Sequence, residues 1–431
     1  MIFTRRARTS PIAMAIALTL GGTVLTAAIA EPAIAQDKKK EKKGKKGQAA
    51  GNYSAEFLAA YQPLNTSAQA GTDVAGLKAS VPGLEALIVS EDEKMAGGGL
   101  IFTIGQKAAD ELLQLKGIGL MLASGKVPPE NLGAYNYQAG TLAYRNNKFD
   151  DTRRYVQAAI DAGYTQNSPQ VLIAESYFKE ERPAEGLGYL TNAIGAVKAA
   201  GQPVDEAWIK RGLSVAYNAR LQNEAFQYAK LYVSNYPSET SWGDAVAILL
   251  NTGGYQNPEI LDLLRLARRT GGMRSDRLYL EYLDAADYRR LPAEVVSIID
   301  EGYANGKLPK TNQLVVDTRK QAAARAATDK ADFASTVKAA SAANAPLRTV
   351  LAAGDVSLSM GNAAQAETFY AKALPQAGAE AATVLTRLGI AQLDQGKYAE
   401  AQATFDKVQG ARQPIAGLWS AYAAQKAGGA Q

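Results

Sequence analysis

Gly354, Gly361, Ala366, Tyr370 and Ala373 return 35 residues later as Gly389, Gly396, Ala401, Phe405 and Val408. Upstream, Gly140, Thr152, Val156 and Ala159 return 34 residues later as Ala174, Gly186, Leu190 and Ala193. Two separate stretches sharing one template are the strongest constraint on the fold, because a unit this short cannot bury its own apolar face. It must stack on its neighbours, so the core is laid down locally along an array rather than around one centre. The template is a small residue, a second small residue 12 positions on, then apolar residues at +4 and +3 from it. That spacing describes two amphipathic helices joined by a tight turn: the small positions let two backbones approach, and the apolar ones fill the remaining space.

Gly361 and Gly396 fall where the first helix of each pair must end, a place that favours a residue free to take the left-handed conformation. The pattern resembles the tetratricopeptide repeat family, most clearly in Leu388-Gly389, Gly396-Lys397-Tyr398, Ala401 and Phe405, followed by Pro414. A unit from Gly133 to Gln166 fits through Gly140, Phe149 and Ala159. Another keeps Trp208, Gly212, Ala225, Ala229 and Pro237 around a slightly stretched turn. Trp419 and Tyr422 open a last helix with no partner after it, as a terminal cap would. Between Ser238 and Ala345 the likeness weakens, yet Asn257-Pro258 and Leu291-Pro292 place proline at helix starts. Residues 53–127 are weaker again: Leu112, Leu115, Gly119 and Leu122 are spaced as a helix, whereas Gly97-Gly98-Gly99 is out of character and reads as a loop. The resemblance implies an all-α, right-handed superhelical solenoid of antiparallel helix pairs. About nine or ten pairs of roughly 34 to 40 residues would fill the body. Gly140, Ala174, Gly212, Ala225, Gly354, Ala366, Tyr370, Gly389, Ala401 and Phe405 are the expected packing positions between helices.

Two zeros bound the chemistry. There is no Cys and no His among the 431 residues, which removes imidazole bases, thiol nucleophiles, Ser-His-Asp triads and Cys/His zinc sites. The fragments that remain are incomplete. Gly71 to Lys78 breaks the phosphate-loop pattern because Leu77 separates glycine from lysine. Ser335-Thr336-Val337-Lys338 has a Ser-x-x-Lys spacing without its companion motifs. Glu91, Asp92 and Glu93 lack the alternating loop of a calcium site and read as a solvated turn. Arg265, Arg268, Arg269, Arg274 and Arg277 suggest either an anion patch around Gly271-Gly272 or scattered cations on a helix end. No catalytic, cofactor-binding or metal-ligating residues are expected.

The net charge of +5 is confined to the N-terminus. Residues 1–35 hold three Arg and one Glu, and residues 36–50 hold seven Lys, one Asp and one Glu. The body is left with 37 basic against 39 acidic residues, near −2. A nearly neutral body argues against nucleic acid as a partner. Arg5, Arg6 and Arg8 followed by the apolar Ile12 to Leu25 read as an export signal, with Ala33-Ile34-Ala35 as the favoured cleavage site. An uncleaved anchor is the alternative. The Lys-rich run in 36–50 reads as an extended linker, either a spacer or a tether in which residues 38–46 touch an anionic membrane or wall polymer. The resulting partition is a signal (1–35), a linker (36–50), divergent helical repeats (51–130), tetratricopeptide-like repeats (131–237), further divergent repeats (238–345) and C-terminal repeats with a capping helix (346–431).

In such arrays the first helix of each pair lines a concave surface. Candidate partner contacts on that face are Tyr137, Thr141, Tyr144 and Arg145, then Glu175, Phe178 and Lys179, and near the C-terminus Arg348 and Asp355. The carboxylate clamp of some family members is not matched, since Tyr137 and Thr141 stand where its Lys and Asn would be. The expectation is a non-enzymatic periplasmic or secreted bacterial scaffold that binds a cell-envelope protein or peptide. Alternatives are a wall or polysaccharide binder using the Lys-rich tail and, third, a carboxylate-based enzyme.

Overall fold

The computed structural model describes residues 51–71, 73–376 and 378–429. The expected signal, its cleavage site and the Lys-rich linker lie outside them. Twenty α-helices and no strand occur among the described residues. They group into two compact units, which meet in sequence at Gln202 and Pro203. No helix among the described residues is long and apolar enough to cross a membrane.

The first unit contains α1 (Ala55–Ala70), α2 (Val74–Glu85), α3 (Glu91–Lys107), α4 (Glu111–Ala123), α5 (Pro129–Arg145), α6 (Phe149–Asp161), α7 (Pro169–Lys179) and α8 (Pro183–Ala199). Each helix packs on the next. Phe57, Tyr61, Leu77, Val81, Leu84 and Ile101 form one core at its start. The acidic run Glu91-Asp92-Glu93 is the first turn of α3 rather than a solvated turn. Ser90 caps the helix, and Glu93 reaches back to the Ser90 N–H in a capping box. Glu93 is buried, and it also accepts from the Val89 N–H and from both the N–H and hydroxyl of Ser54. Burial alone would raise its pKa; these donors outweigh it and hold the carboxyl at about 2.

Gly97-Gly98-Gly99 is not a loop. It lies inside α3, fully buried, where α3 and α4 cross so closely that a Cβ on Gly98 would sit 2.7 Å from the Gly117 carbonyl. A Cβ on Gly117 would lie 2.6 Å from the Gly98 carbonyl and closer still to the Phe102 nitrogen. Backbone cannot yield as a flexible side chain can. Gly117→Ala is therefore expected to destabilise by about 2 kcal/mol, although alanine favours a helix by about 1 kcal/mol. Gly188→Ala in α8, where nothing lies within 4 Å, should instead stabilise by about 0.5–1 kcal/mol. Urea unfolding followed by circular dichroism reads both, and equal effects would refute the close-crossing account.

The second unit contains α9 (Glu206–Asn218), α10 (Gln222–Asn235), α11 (Glu239–Thr252), α12 (Asn257–Arg269), α13 (Asp276–Ala286), α14 (Pro292–Ala304), α15 (Gln313–Ser341), α16 (Leu347–Ser359), α17 (Ala363–Ala373), α18 (Ala381–Asp394), α19 (Tyr398–Phe405), a single 3-10 turn (Gly410–Arg412) and α20 (Gln413–Gly429). The expected packing positions are buried in both units. Their geometry recurs: a Cβ on Gly140, Gly212, Gly354 or Gly389 would come within 3 Å of the residue 16 positions on, respectively Val156, Tyr228, Tyr370 and Phe405. Seven residues after Gly140, Ala174, Gly354 and Gly389 stands a left-handed residue: Asn147, Glu181, Gly361 and Gly396. In the stretched turn after Gly212 it falls one later, at Arg220.

α20 does more than cover the preceding pair. Besides α19 and α18 it packs on α10 and α12. Gly417 admits the Phe226 ring of α10, since a Cβ there would lie 2.7 Å from it. The Trp419 indole stacks on Phe405, its N–H donating to the Asp262 carbonyl at 3.0 Å. Tyr422 meets the Trp242 ring edge-on and donates its hydroxyl to the Arg269 carbonyl.

Candidate functional site

The expected contacts in the first unit separate into packing and surface residues. Tyr137 on α5 is 8% exposed, stacks on Tyr164 at 4.7 Å and donates to the Asn167 carbonyl at 3.3 Å. Burial, with Tyr164 beside it, pushes its pKa up to about 12. Thr141 donates to the Tyr137 carbonyl, and Tyr144 lies edge-on to Phe149. Arg145 is exposed and pairs with Glu111 at 3.2 Å. On α7, Glu175 is buried, Phe178 covers Gly186, and Lys179 is exposed. Thr141, Arg145 and Lys179 keep accessible surface, whereas Tyr137 and Glu175 are interior.

In the second unit the expected pair, Arg348 and Asp355, shares a cavity of about 870 Å³. Its walls are the stripe Arg348, Leu351, Ala352 and Asp355 of α16 and the stripe Thr383, Val384 and Arg387 of α18. Those spacings of three and four residues put each set on one helix face. Because α16 and α18 are successive first helices, Arg348 and Thr383 are 35 residues apart, as are Ala352 and Arg387. Arg289 and Arg290 from the α13–α14 link, Arg325 of α15 and Arg412 of the 3-10 turn complete the cationic lining.

Beneath it lies a buried charge network. Asp262 of α12, 0% exposed, accepts from Arg265 at 3.1 Å and Arg412 at 2.6 Å, with Arg387 at 3.7 Å. Arg265 also forks onto Glu294 at 2.8 and 2.6 Å, and Tyr282 donates to the same carboxylate. Asp355 accepts Arg387 at 2.7 and 2.9 Å and the Tyr370 hydroxyl at 2.7 Å. Burial acts to protonate Asp262, but Arg387, Arg265 and Arg412 overcome it and hold its pKa below the ordinary value. Glu294 is held at about 2 against burial, chiefly by Arg265. Tyr370, buried beside Asp355, is pushed well up. Two guanidinium nitrogens remain without a hydrogen bond, Arg387 Nε and Arg412 Nη2, although a carboxylate stands within ion-pair range of each.

Four of the five arginines between Arg265 and Arg277 are engaged within the protein, and Arg277 alone is exposed without an ion pair among the described residues. Arg265 is interior, Arg268 pairs with Glu301, Arg269 forks onto Asp394, and Arg274 pairs with Asp244. Sequence reasoning missed Asp262, Glu294, Arg387 and Arg412. The available signal was the charged pair set within Ile260-Leu261-Asp262-Leu263-Leu264-Arg265-Leu266, two charges on an otherwise apolar run. No group of three or more acidic side chains suited to a metal ion occurs among the described residues. No protein-family model matches the chain, and no curated protein matches it.

Proposed function

We propose that the chain is an exported tetratricopeptide-like protein, wound as a right-handed solenoid. In this reading it works as a non-enzymatic scaffold in the periplasm, or outside the cell, of a bacterium. Its repeat surface holds a protein or peptide of the cell envelope. The observation that supports this most is the recurrence, in both units, of one helix-pair closure: a glycine facing the side chain 16 residues on. An array built from one closure presents the same face of successive first helices side by side, as the α16 and α18 stripes do.

The test compares mature protein, residues 36–431, with a version lacking 37–47, each recovered from envelope extract after mild crosslinking. A discrete protein recovered at equal yield with both versions is the expected result. Recovery of wall material by the full version alone, with no protein in either, would replace the scaffold with a tail-driven attachment to polymer. The latter binding would also collapse between low and physiological salt.

A further inference from the structure

We propose that the arginine-lined cavity of the second unit binds a small organic molecule carrying two or more oxyanion groups, carboxylate or phosphate, on an apolar body. The inference does not rest on the scaffold reading, since a small-anion site can operate with or without a protein partner.

Charge is the first argument. Six arginines line the cavity, Arg289, Arg290, Arg325, Arg348, Arg387 and Arg412, against three carboxylates, Glu259, Asp355 and Glu380, an excess of three positive charges. Two of those carboxylates are already engaged: Asp355 holds Arg387, and Glu259 lies 3.2 Å from Arg412. At the rim, Arg289 and Arg325 pair only with their own near neighbours Asp287 and Asp329, and both arginines are largely exposed. Such pairs are weak and readily exchanged for a better acceptor. Arg290 and Arg348 are exposed and form no ion pair with a described residue. A rim of guanidinium groups drawn from three separate segments is self-repelling until an anion neutralises it.

The make-up and size of the lining supply the second argument. Arg387 and Arg412 are 8% and 4% exposed and line the cavity, held in place by Asp355, Asp262 and Glu259. The planar fork of guanidinium matches carboxylate and phosphate oxygens, which favours an oxyanion over a spherical ion. Leu291, Leu347, Leu351, Val356 and Val384 supply an apolar wall between rim and floor. A volume of about 870 Å³ lies within the range of small-molecule sites, about 300–1,000 Å³.

The experiment is calorimetric titration of the full chain with four probes: sebacate, hexanediol bisphosphate, the uncharged sebacamide and inorganic phosphate. A glutamate-rich peptide is added as a fifth. Saturable binding of sebacate or the bisphosphate at one per chain is expected, with sebacamide inert, and the tighter of the two assigns the head group. Arg290→Ala and Arg348→Ala should each weaken that binding about tenfold while leaving thermal unfolding unchanged, because both side chains are exposed. Failure of both organic anions to bind, binding that both variants leave intact, or binding of the peptide or inorganic phosphate alone would each overturn the proposal.

Discussion

Replacing Asp262 with alanine is expected to lower the stability of the second unit by about 3–5 kcal/mol, the cost of leaving buried cations without their shared counter-charge. Arg265 retains Glu294 and Arg387 retains Asp355, but Arg412 keeps only Glu259 at the edge of the network. For a unit of this size the loss corresponds to a melting shift on the order of 10 °C. The three tryptophans, Trp208, Trp242 and Trp419, all belong to the second unit, so their fluorescence reports its unfolding selectively. The double variant Asp262→Leu with Arg412→Met should cost clearly less than the two single changes added together, since it removes both charges at once. Strict additivity would mean that the 2.6 Å pair carries no coupling.

Acidification is expected to strike the first unit through Glu93. Its folded pKa of about 2 lies below the ordinary value of 4.5, so its contribution is complete above about pH 4.5 and is lost as pH falls toward 2. The linked stability is about 3 kcal/mol. Asp92 and Asp110 are lowered too, by the Lys126 and Lys78 ammonium groups respectively, and they add to the same slope. Glu93→Gln turns an acceptor into a partial donor facing four donors. The variant should be weaker at neutral pH, and its stability should decline less between pH 4.5 and 2. Parallel pH profiles of variant and wild type, followed by circular dichroism, would show that the four-donor cradle is not what lowers this carboxyl.

The parts of the fold that were legible in the sequence are those set by neighbours along the chain. Gly361 and Gly396 were placed at left-handed turns because a helix pair of this length must reverse there, and both have positive φ. The packing glycines were legible because one spacing recurs. Gly97-Gly98-Gly99 was misread because glycine's intrinsic preference opposes a helix, while the force that makes it helical is the close approach of Gly117, supplied by a different helix. The cavity was half visible: Arg348 and Asp355 follow from the face of α16, whereas Arg289, Arg290 and Arg325 arrive from a link and another helix. Asp262 and Arg412 stand 150 positions apart, and no local periodicity relates them.

The return of α20 onto α10 and α12 carries a consequence for how the second unit comes into being. In an open array each pair needs only its neighbour, so folding can begin anywhere and spread, and ends can fray singly. Here the bonds Arg269–Asp394, Arg412–Asp262, Trp419–Asp262 and Trp242–Gln425 span 125, 150, 157 and 183 residues. Closing a loop of that size costs roughly 4 kcal/mol of chain entropy before any of these contacts forms. Long-range contacts of this kind slow folding relative to a purely local array. The helices from α12 onward can be synthesised and paired in order, yet Asp262 lacks Arg412 and the Trp419 indole until the 3-10 turn and α20 have been made. A chain stopped short of α20 therefore lacks the helix that joins α10 and α12 to α18 and α19, and is not simply a shorter version of the same array.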